Sequence, residues 1–493
     1  MKILLVIACL LLTACTRTKA PSVAIRDVTV IDVMDGSLRA GQTVLVAGNH
    51  IAAIGAADKV RVSPGAEVID AAGGYLIPGL WDMHVHSVTN VALDRSVESV
   101  AAWQWHLPLF LAWGVTGVRD MNDGTGDLDL KLIRSVKRRL AAGELVGPRF
   151  LAAGPSLDGD PPLGSNSAIV RTAAEARAAV DRLVDGGADL VKVYENLSRE
   201  VYFAIMDEAR RRGIRVDGHI PFRMTPEEAA DAGQRTFEHV LAMAAGCSIE
   251  AESERRRFAA VLDPLRGLSA HENLAPLVLF RHERALYESR DPATCAPTID
   301  AYRRNGVADT PTIVGYDHVV KAKEILSDAA SMRLVPAAIR ANWETQVDSE
   351  TFHELQSLVR PMVSLYAENT RLLHNAGVVL LAGTDVGIPI LVPGLSLHEE
   401  LVLLVKAGLT PLEALRTATL NPARVLGLAE SLGAIEPGKL ADLVLLDANP
   451  LDDIANTQRI RAVVTNGRLY RRADLDRLLA EVEALNRQVE KGE

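Results

Sequence analysis

The sequence predicts an α/β protein: a (β/α)8 TIM barrel accompanied by a small β-sandwich built from both chain ends. Three observations predict it. Apolar strands and helical stretches alternate through the middle of the chain and make eight βα units, the count of such a barrel. Strand-rich segments bracket that middle on both sides. Four histidines, a lysine and an aspartate fall at or near the C-terminal ends of the predicted strands, where a barrel gathers its active site.

At 493 residues the chain exceeds one ordinary domain, although barrels often run long as a single unit. A hydrophobic content of 48% with 24% charged residues is that of a globular, enzyme-sized protein. The net charge of -10 leaves no basic patch to neutralise phosphates and argues against nucleic acid as a partner.

Met1-Lys2 followed by the apolar run Ile3 to Leu12 is too short for a permanent span and reads as a signal peptide over residues 1–15. Its end, Leu12-Thr-Ala-Cys15, resembles the bacterial lipobox, which makes Cys15 the lipidated N-terminus and residues 16–21 a tether. Thr16 is not the aspartate associated with inner-membrane retention, so the resemblance implies the periplasmic side of the outer membrane. With Cys9 and Cys15 so assigned, Cys247 and Cys295 are the remaining pair in an oxidising compartment and are expected to form a disulfide. Two buried thiols are the alternative, because the bond requires Cα atoms within about 7 Å.

Residues 22–75 contain the short strand patterns Val23-Ala-Ile, Val28 to Asp32, Thr43 to Val46 and His50 to Ile54, and 432–472 contain Asp442 to Asp447 and Arg461 to Arg468. Together they make the sandwich. The barrel domain is expected over 76–431, with strands ending at His86 and Asp120, then at Arg149–Ala152, Leu190–Tyr194, Arg215–His219, Thr236–His239, Thr312-Ile-Val and Val378–Asp385. Ala174–Val184 and Pro226–Ala232 are clear helices between them. Connections in α/β units usually take roughly 2–6 residues, so the stretches near 241–308 and 316–377 read as helical insertions over the active face. Residues 473–493, with Leu475, Leu478, Leu479, Val482 and Leu485 at helical spacing, form an amphipathic C-terminal helix.

In Tyr75-Leu-Ile-Pro-Gly-Leu-Trp-Asp-Met-His-Val-His86 an apolar run ends in two histidines that a strand turns to one face. Alone, this H-x-H is a weak signal. It gains weight because His219, His239 and Asp385 also end strands. Imidazole and carboxylate donors suit zinc and its neighbours. Lys192 is the odd member, since an ammonium cannot ligate a metal; it is either an ordinary salt-bridged lysine or, after addition of carbon dioxide, a carbamate able to bridge two ions. His50, His106, His271, His282, His318, His353 and His374 lie away from strand ends and read as surface or capping residues; His398, at a helix start, is a weaker candidate for the site.

Pro78-Gly-Leu-Trp-Asp-Met-His-Val-His86 resembles the first-strand motif of the amidohydrolase superfamily. Gly114-Val-Thr-Gly-Val-Arg-Asp120, Gly187-Ala-Asp-Leu-Val-Lys-Val193, Phe237-Glu-His239, Gly383-Thr-Asp385, Ala418-Thr-Leu-Asn-Pro-Ala-Arg424 and Gly433 to Leu446 resemble its later motifs, so the likeness covers nearly the whole mature chain. Within the superfamily the chain is most similar to the imidazolonepropionase-related branch of Xaa-Pro and Xaa-Arg dipeptidases, which includes ochratoxin-type amidases. The resemblance implies two divalent ions, zinc by the donor set: one held by His84, His86 and Asp385, the other by His219 and His239, with N6-carboxylated Lys192 and a hydroxide between them. Asp385 would act as general base and then acid. Tyr194, two residues beyond Lys192, is a candidate contact for the carbonyl oxygen or an aromatic packing residue.

The expected activity is hydrolysis of an amide bond in a small molecule, a dipeptide or an N-acyl amino acid. The same site chemistry would serve a lactone, ester or phosphotriester, and a non-catalytic binding lipoprotein is the reading from another class. The chain has no G-x-S-x-G, no H-E-x-x-H and no phosphate-cradling loop. Besides substrate, the implied contacts are the membrane through the lipid anchor; self-association into a homo-oligomer is left open.

Overall fold

The computed structural model describes residues 23–87, 101–121, 127–164, 167–267 and 275–491. The signal peptide, the tether and Cys15 lie outside the described residues.

The chain enters through five strands: β1 (Val23–Ile31), β2 (Leu38–Ala47), β3 (His50–Ala56), β4 (Glu67–Asp70) and β5 (Tyr75–Pro78). Strand β1 serves two parallel partners. Val23–Arg26 pairs with β4 and Thr29–Val30 with β5, the change coinciding with register shifts in its pairing to β2. Such irregularities bend a strand and increase its twist.

Pro78-Gly79 leads directly into the barrel. Its strands are β6 (Leu80–Val85), β7 (Val115–Asp120) and β8 (Arg149–Ala152), then, after the short β9 (Leu157–Asp158) and β10 (Ala168–Ile169), β11 (Leu190–Val193), β12 (Arg215–Gly218), β13 (Thr236–Glu238), β14 (Ala308–Thr310) and β15 (Val379–Leu380). All pairings among the barrel strands are parallel. Two junctions close the ring. Asp189 N donates to Ala152 O at 2.9 Å between β8 and β11. Met83 N donates to Ala382 O at 2.9 Å, beside a parallel bridge between Val85 and Val386. Eight strands therefore form the closed (β/α)8 barrel that the alternation implied.

The helices start and stop where local chemistry dictates. Arg199–Arg212 begins with Ser198 accepting from Val201 N and ends at Gly213 in the left-handed region. Pro226–Ala232 and Pro411–Thr417 each carry a complete capping box, Thr225 with Glu228 and Thr410 with Glu413.

The chain returns through β16 (Leu443–Leu446), β17 (Ile460–Thr465) and β18 (Arg468–Arg471). Strand β16 pairs antiparallel with β5, so the two end segments join in one eight-stranded sheet. All eight of its strands feed one apolar core that includes Val28, Val44, Ile69, Leu443 and Val464, which requires the sheet to curl over itself. The final helix, Arg472–Lys491, seats Leu479, Val482 and Leu485 against Trp105, Leu109 and Leu334. Among the described residues no helix is long and apolar enough to cross a membrane.

One strand expectation is corrected. Thr312-Ile-Val is not a strand: Thr312 precedes a helix, Ile313–Val320, and the seventh barrel strand is Ala308–Thr310. β-Branched residues favour strands by propensity, but here their apolar side chains pack a helix against the barrel. The second insertion accordingly runs from 311 to 378 rather than from 316 to 377. The first, 239–307, holds three helices of ten or more residues among its described residues, and Cys247 and Cys295 are disulfide-bonded with Cα atoms 4.3 Å apart.

Candidate metal centre

The strand ends place all six expected ligands at one mouth. His84, His239 and Asp385 are the tightest group, each offering one ligand atom within 4.8 Å of the other two. This trio crosses the division implied by the resemblance, because His239 joins His84 and Asp385. His86 attaches to the trio through Asp385, with its Nε2 2.8 Å from Oδ1. His219 lies beside His239 with ring centroids 4.9 Å apart. Lys192 is fully buried on β11 and sits 5.4 Å above the Tyr194 ring, which itself stacks on His219 at 4.4 Å.

The backbone is forced into this shape. Asp385 (φ 65°), His239 (φ 62°), Val240 (φ 48°) and Thr312 (φ 50°) are all left-handed although none is glycine. Each such residue costs of order 1–3 kcal/mol, and strain of this kind collects at functional sites. Gly218 stands just before His219 at φ 123°, where a Cβ would come within 2.4 Å of Val193 O. Gly383 lies where a Cβ would meet His84 Cβ at 2.9 Å. Glycine at these two positions lets the ligand-bearing strand ends approach one another.

Three imidazoles are oriented through their Nδ1 atoms. His84 Nδ1 donates to Glu238 Oε2 at 2.9 Å. His219 Nδ1 shares a 2.7 Å hydrogen bond with Glu195 Oε1, and His239 Nδ1 shares one of 2.6 Å with Thr312 Oγ1. Fixing Nδ1 turns Nε2 toward the mouth, the arrangement that metal-binding histidines use. His84 Nε2 is buried, makes no hydrogen bond and lies 3.4 Å from Asp385 Oδ1.

Burial holds His84 well below the usual imidazole range and pushes His239 down to about 3, so both are neutral and present lone pairs at physiological pH. Burial would raise Asp385, but its hydrogen bond from His86 and the surrounding imidazoles outweigh that and keep it well below the carboxylate norm. A neutral-imidazole and carboxylate donor set with an orphaned buried nitrogen at its centre fits divalent zinc or a close neighbour.

The centre opens into a cavity of about 440 Å³. Its floor carries His219, His239, Asp385, Tyr194 and Glu195. Its roof comes from the two insertions and is largely apolar, with Leu241, Leu279, Phe280, Phe352 and Leu355. Into that apolar wall projects Glu283, which burial pushes up to about 8 and which accepts a hydrogen bond from Tyr366. Glu195 is likewise raised to about 8 by burial, against the opposing pull of Lys192.

Sequence reasoning missed several of these groups. Glu238 was legible only as a member of Phe237-Glu-His239, and Arg119, its buried partner, only as a member of Gly114-Val-Thr-Gly-Val-Arg-Asp120. Glu195, Thr312 and Glu283 had no sequence signal that separated them from surface residues. His398 does not line the cavity: it bonds Thr457 Oγ1 and Trp113 O at 2.8 and 2.9 Å, deep in the helical layer. His106 and His318, taken from sequence as surface or capping residues, are also buried.

Comparison with known proteins follows the same lines. The sequence profile of the Amidohydrolase family matches residues 75–470. Imidazolonepropionase of Deinococcus deserti is 34% identical over 124 residues, 24% of this chain and 31% of that protein. Ochratoxinase of Aspergillus niger is 32% identical over 158 residues, 31% of each chain. The chain thus spans about a third of the length of these curated relatives. A crystal structure of a Xaa-Pro dipeptidase with methionine bound in its active site superposes with a TM-score of 0.64 at 22% identity, covering 91% of this chain and 99% of that one, and shares the fold. The profile match extends from the last strand of the N-terminal segment to the last strand of the chain, and the chain belongs to the amidohydrolase family.

Proposed function

We propose that this chain is a metal-dependent hydrolase that cleaves the amide bond of a small, partly apolar substrate, a dipeptide or an N-acyl amino acid. The observation that carries the reading is the convergence of neutral His84 and His239 with ionised Asp385 on the floor of an apolar-roofed cavity. His84, His86, His219, His239 and Asp385 would hold two divalent ions, with Lys192, as its carbamate, between them. Ions held there supply a water acidic enough to ionise near neutral pH and a polarised carbonyl.

The protein's own groups do the rest. Asp385 accepts the proton of the attacking water and returns it to the departing amine, so that one carboxylate serves as base and then acid. Tyr194, its ring braced against His219, donates its hydroxyl to the oxygen on which negative charge develops. Phe280, Leu279 and Phe352 exclude water and seat the apolar part of the substrate. The lipobox-like start supports a periplasmic, lipid-anchored location, and the disulfide in the roof suits such an oxidising compartment.

The test is a substrate panel of dipeptides, N-acyl amino acids, lactones and phosphotriesters assayed with added zinc. Cleavage confined to amides supports the reading. Faster turnover of lactones or phosphotriesters, or no turnover of any class by metal-loaded protein, overturns it.

A further inference from the structure

We propose that a column of alternating buried charges, Arg215, Asp217, Arg119 and Glu238, runs through the barrel interior and fixes His84 in the tautomer and orientation that a metal requires. The inference rests on the metal-centre reading above and assigns Arg119 and Glu238 as positioning residues rather than ligands.

The column can be followed bond by bond. Arg215 Nε and Nη2 donate to the two oxygens of Asp217 at 2.8 and 2.9 Å. Arg119 Nη1 donates to Asp217 Oδ2 at 3.0 Å from the other side. Arg119 Nη2 donates to Glu238 Oε1 and Oε2 at 2.9 and 3.0 Å. Glu238 Oε2 then accepts the Nδ1 hydrogen of His84 at 2.9 Å. Arg119 and both acids are fully buried.

Arg119 uses its whole fork. Beyond the two acids, Nε donates to Met83 O at 2.6 Å, Nη1 to Thr236 Oγ1 at 2.9 Å and Nη2 to Thr310 Oγ1 at 3.2 Å. A guanidinium has five N–H donors and no acceptor, and each donor here has a partner. From β7 it reaches β6, β12, β13 and β14, which a lysine with one terminal nitrogen could not do. A single buried charge would be prohibitive, but two cations alternating with two anions balance.

The polarity of the column is what matters to the centre. Its last member presents a carboxylate to His84, so the ring carries its hydrogen on Nδ1 and its lone pair on Nε2, the buried nitrogen that makes no hydrogen bond. A carboxylate behind a ligating imidazole also raises its basicity, and losing such a partner typically costs 10–100-fold in metal affinity. Glutamine at 238 would keep the shape but bring an amide N–H₂ against Arg119 or His84, both of which are donors.

The experiment uses the full chain stripped of metal, in wild-type, Glu238→Gln and Thr236→Val forms. Thr236 Oγ1 donates to Glu238 Oε1 at 2.6 Å and accepts from Arg119 Nη1 at 2.9 Å, and valine removes both bonds while keeping the side-chain shape. Zinc affinity is read by competition with a chromophoric chelator, and the urea midpoint of each metal-free protein is read beside it. The expected result is zinc bound at least about tenfold more weakly by E238Q and about threefold more weakly by T236V than by wild type. Lowered urea midpoints with unchanged zinc affinity would mean a purely structural column and overturn the proposal. Should E238Q not fold, unchanged affinity in T236V overturns it equally. Wild-type protein that binds no zinc would instead remove the metal centre itself, and the column's role with it.

Discussion

Tyr194 lies nearly face to face with His219, ring centroids 4.4 Å apart and planes inclined by 26°. The contact ties a residue at the end of β11 to an expected ligand at the end of β12. It braces one face of the His219 ring, and Tyr194 lines the cavity. Phenylalanine at 194 would keep the stacking and lose only the hydroxyl. The expected outcome is a kcat about 10²–10³-fold lower with metal content unchanged, the size of effect seen when one donor to a developing oxyanion is removed. Unchanged turnover in Tyr194→Phe would return this residue to a packing role.

In the proposed mechanism Asp385 is the group on which the proton transfers depend. Asparagine at this position keeps the size and the contact with His86 but cannot take a proton. Turnover in Asp385→Asn is expected to fall about 10²–10⁴-fold, the usual contribution of general acid–base catalysis. Steady-state kinetics on folded, metal-loaded protein check it, and a loss below tenfold would move the proton transfer to another group.

Glu283 and Glu400 give a pH signature. Burial raises each from 4.5 to about 8 in the folded state. Between those values the folded chain binds more protons than the unfolded chain, so stability from these groups is complete below about 4.5 and is lost as pH rises toward 8. Each contributes a slope of up to about 1.4 kcal/mol per pH unit in that window. Urea denaturation of metal-free protein at pH 6 and pH 8.5 should show the higher pH less stable. Glu283→Gln, which still accepts from Tyr366, should flatten the dependence; an unaltered slope would show that Glu283 is ionised in the fold.

The disulfide between Cys247 and Cys295 closes a loop of 48 residues that carries much of the roof, including Leu279, Phe280 and Glu283. Loop-closure entropy for that length gives about 4 kcal/mol of stabilisation. Replacing both cysteines by serine should lower the thermal midpoint and weaken substrate binding through KM more than kcat, because in the proposed function the roof seats the substrate while the floor does the chemistry. Equal KM values in the two proteins would show that the roof holds its place without the bond.

Much of this architecture was legible in the chain. Short strand patterns ending in His84-Val-His86, His219, His239 and Asp385 located the strand ends, although the buried Asp82, Asp217 and Glu238 interrupt the apolar runs that lead to the histidines. The seventh strand was misplaced for a physical reason. Ala308-Asp-Thr310 is only three residues long, and Asp309 is buried with Tyr302 donating to it, so it lacks the apolar signature. The adjacent Ile313–Val320 mimics a strand by its β-branched residues. The supporting shell was illegible because it is made by distance. Arg119 and Glu238 are 119 positions apart, and nothing local to either shows that they meet.

The central claim is a two-metal centre that depends on Lys192. The measurement that tests it most directly is metal analysis of the purified chain beside a Lys192→Ala variant, with the fold of each checked by circular dichroism. The account predicts close to two divalent ions per wild-type chain and a marked loss of metal in the variant. Wild-type protein that stays metal-free under zinc loading, or a Lys192→Ala variant that keeps both ions, would contradict it.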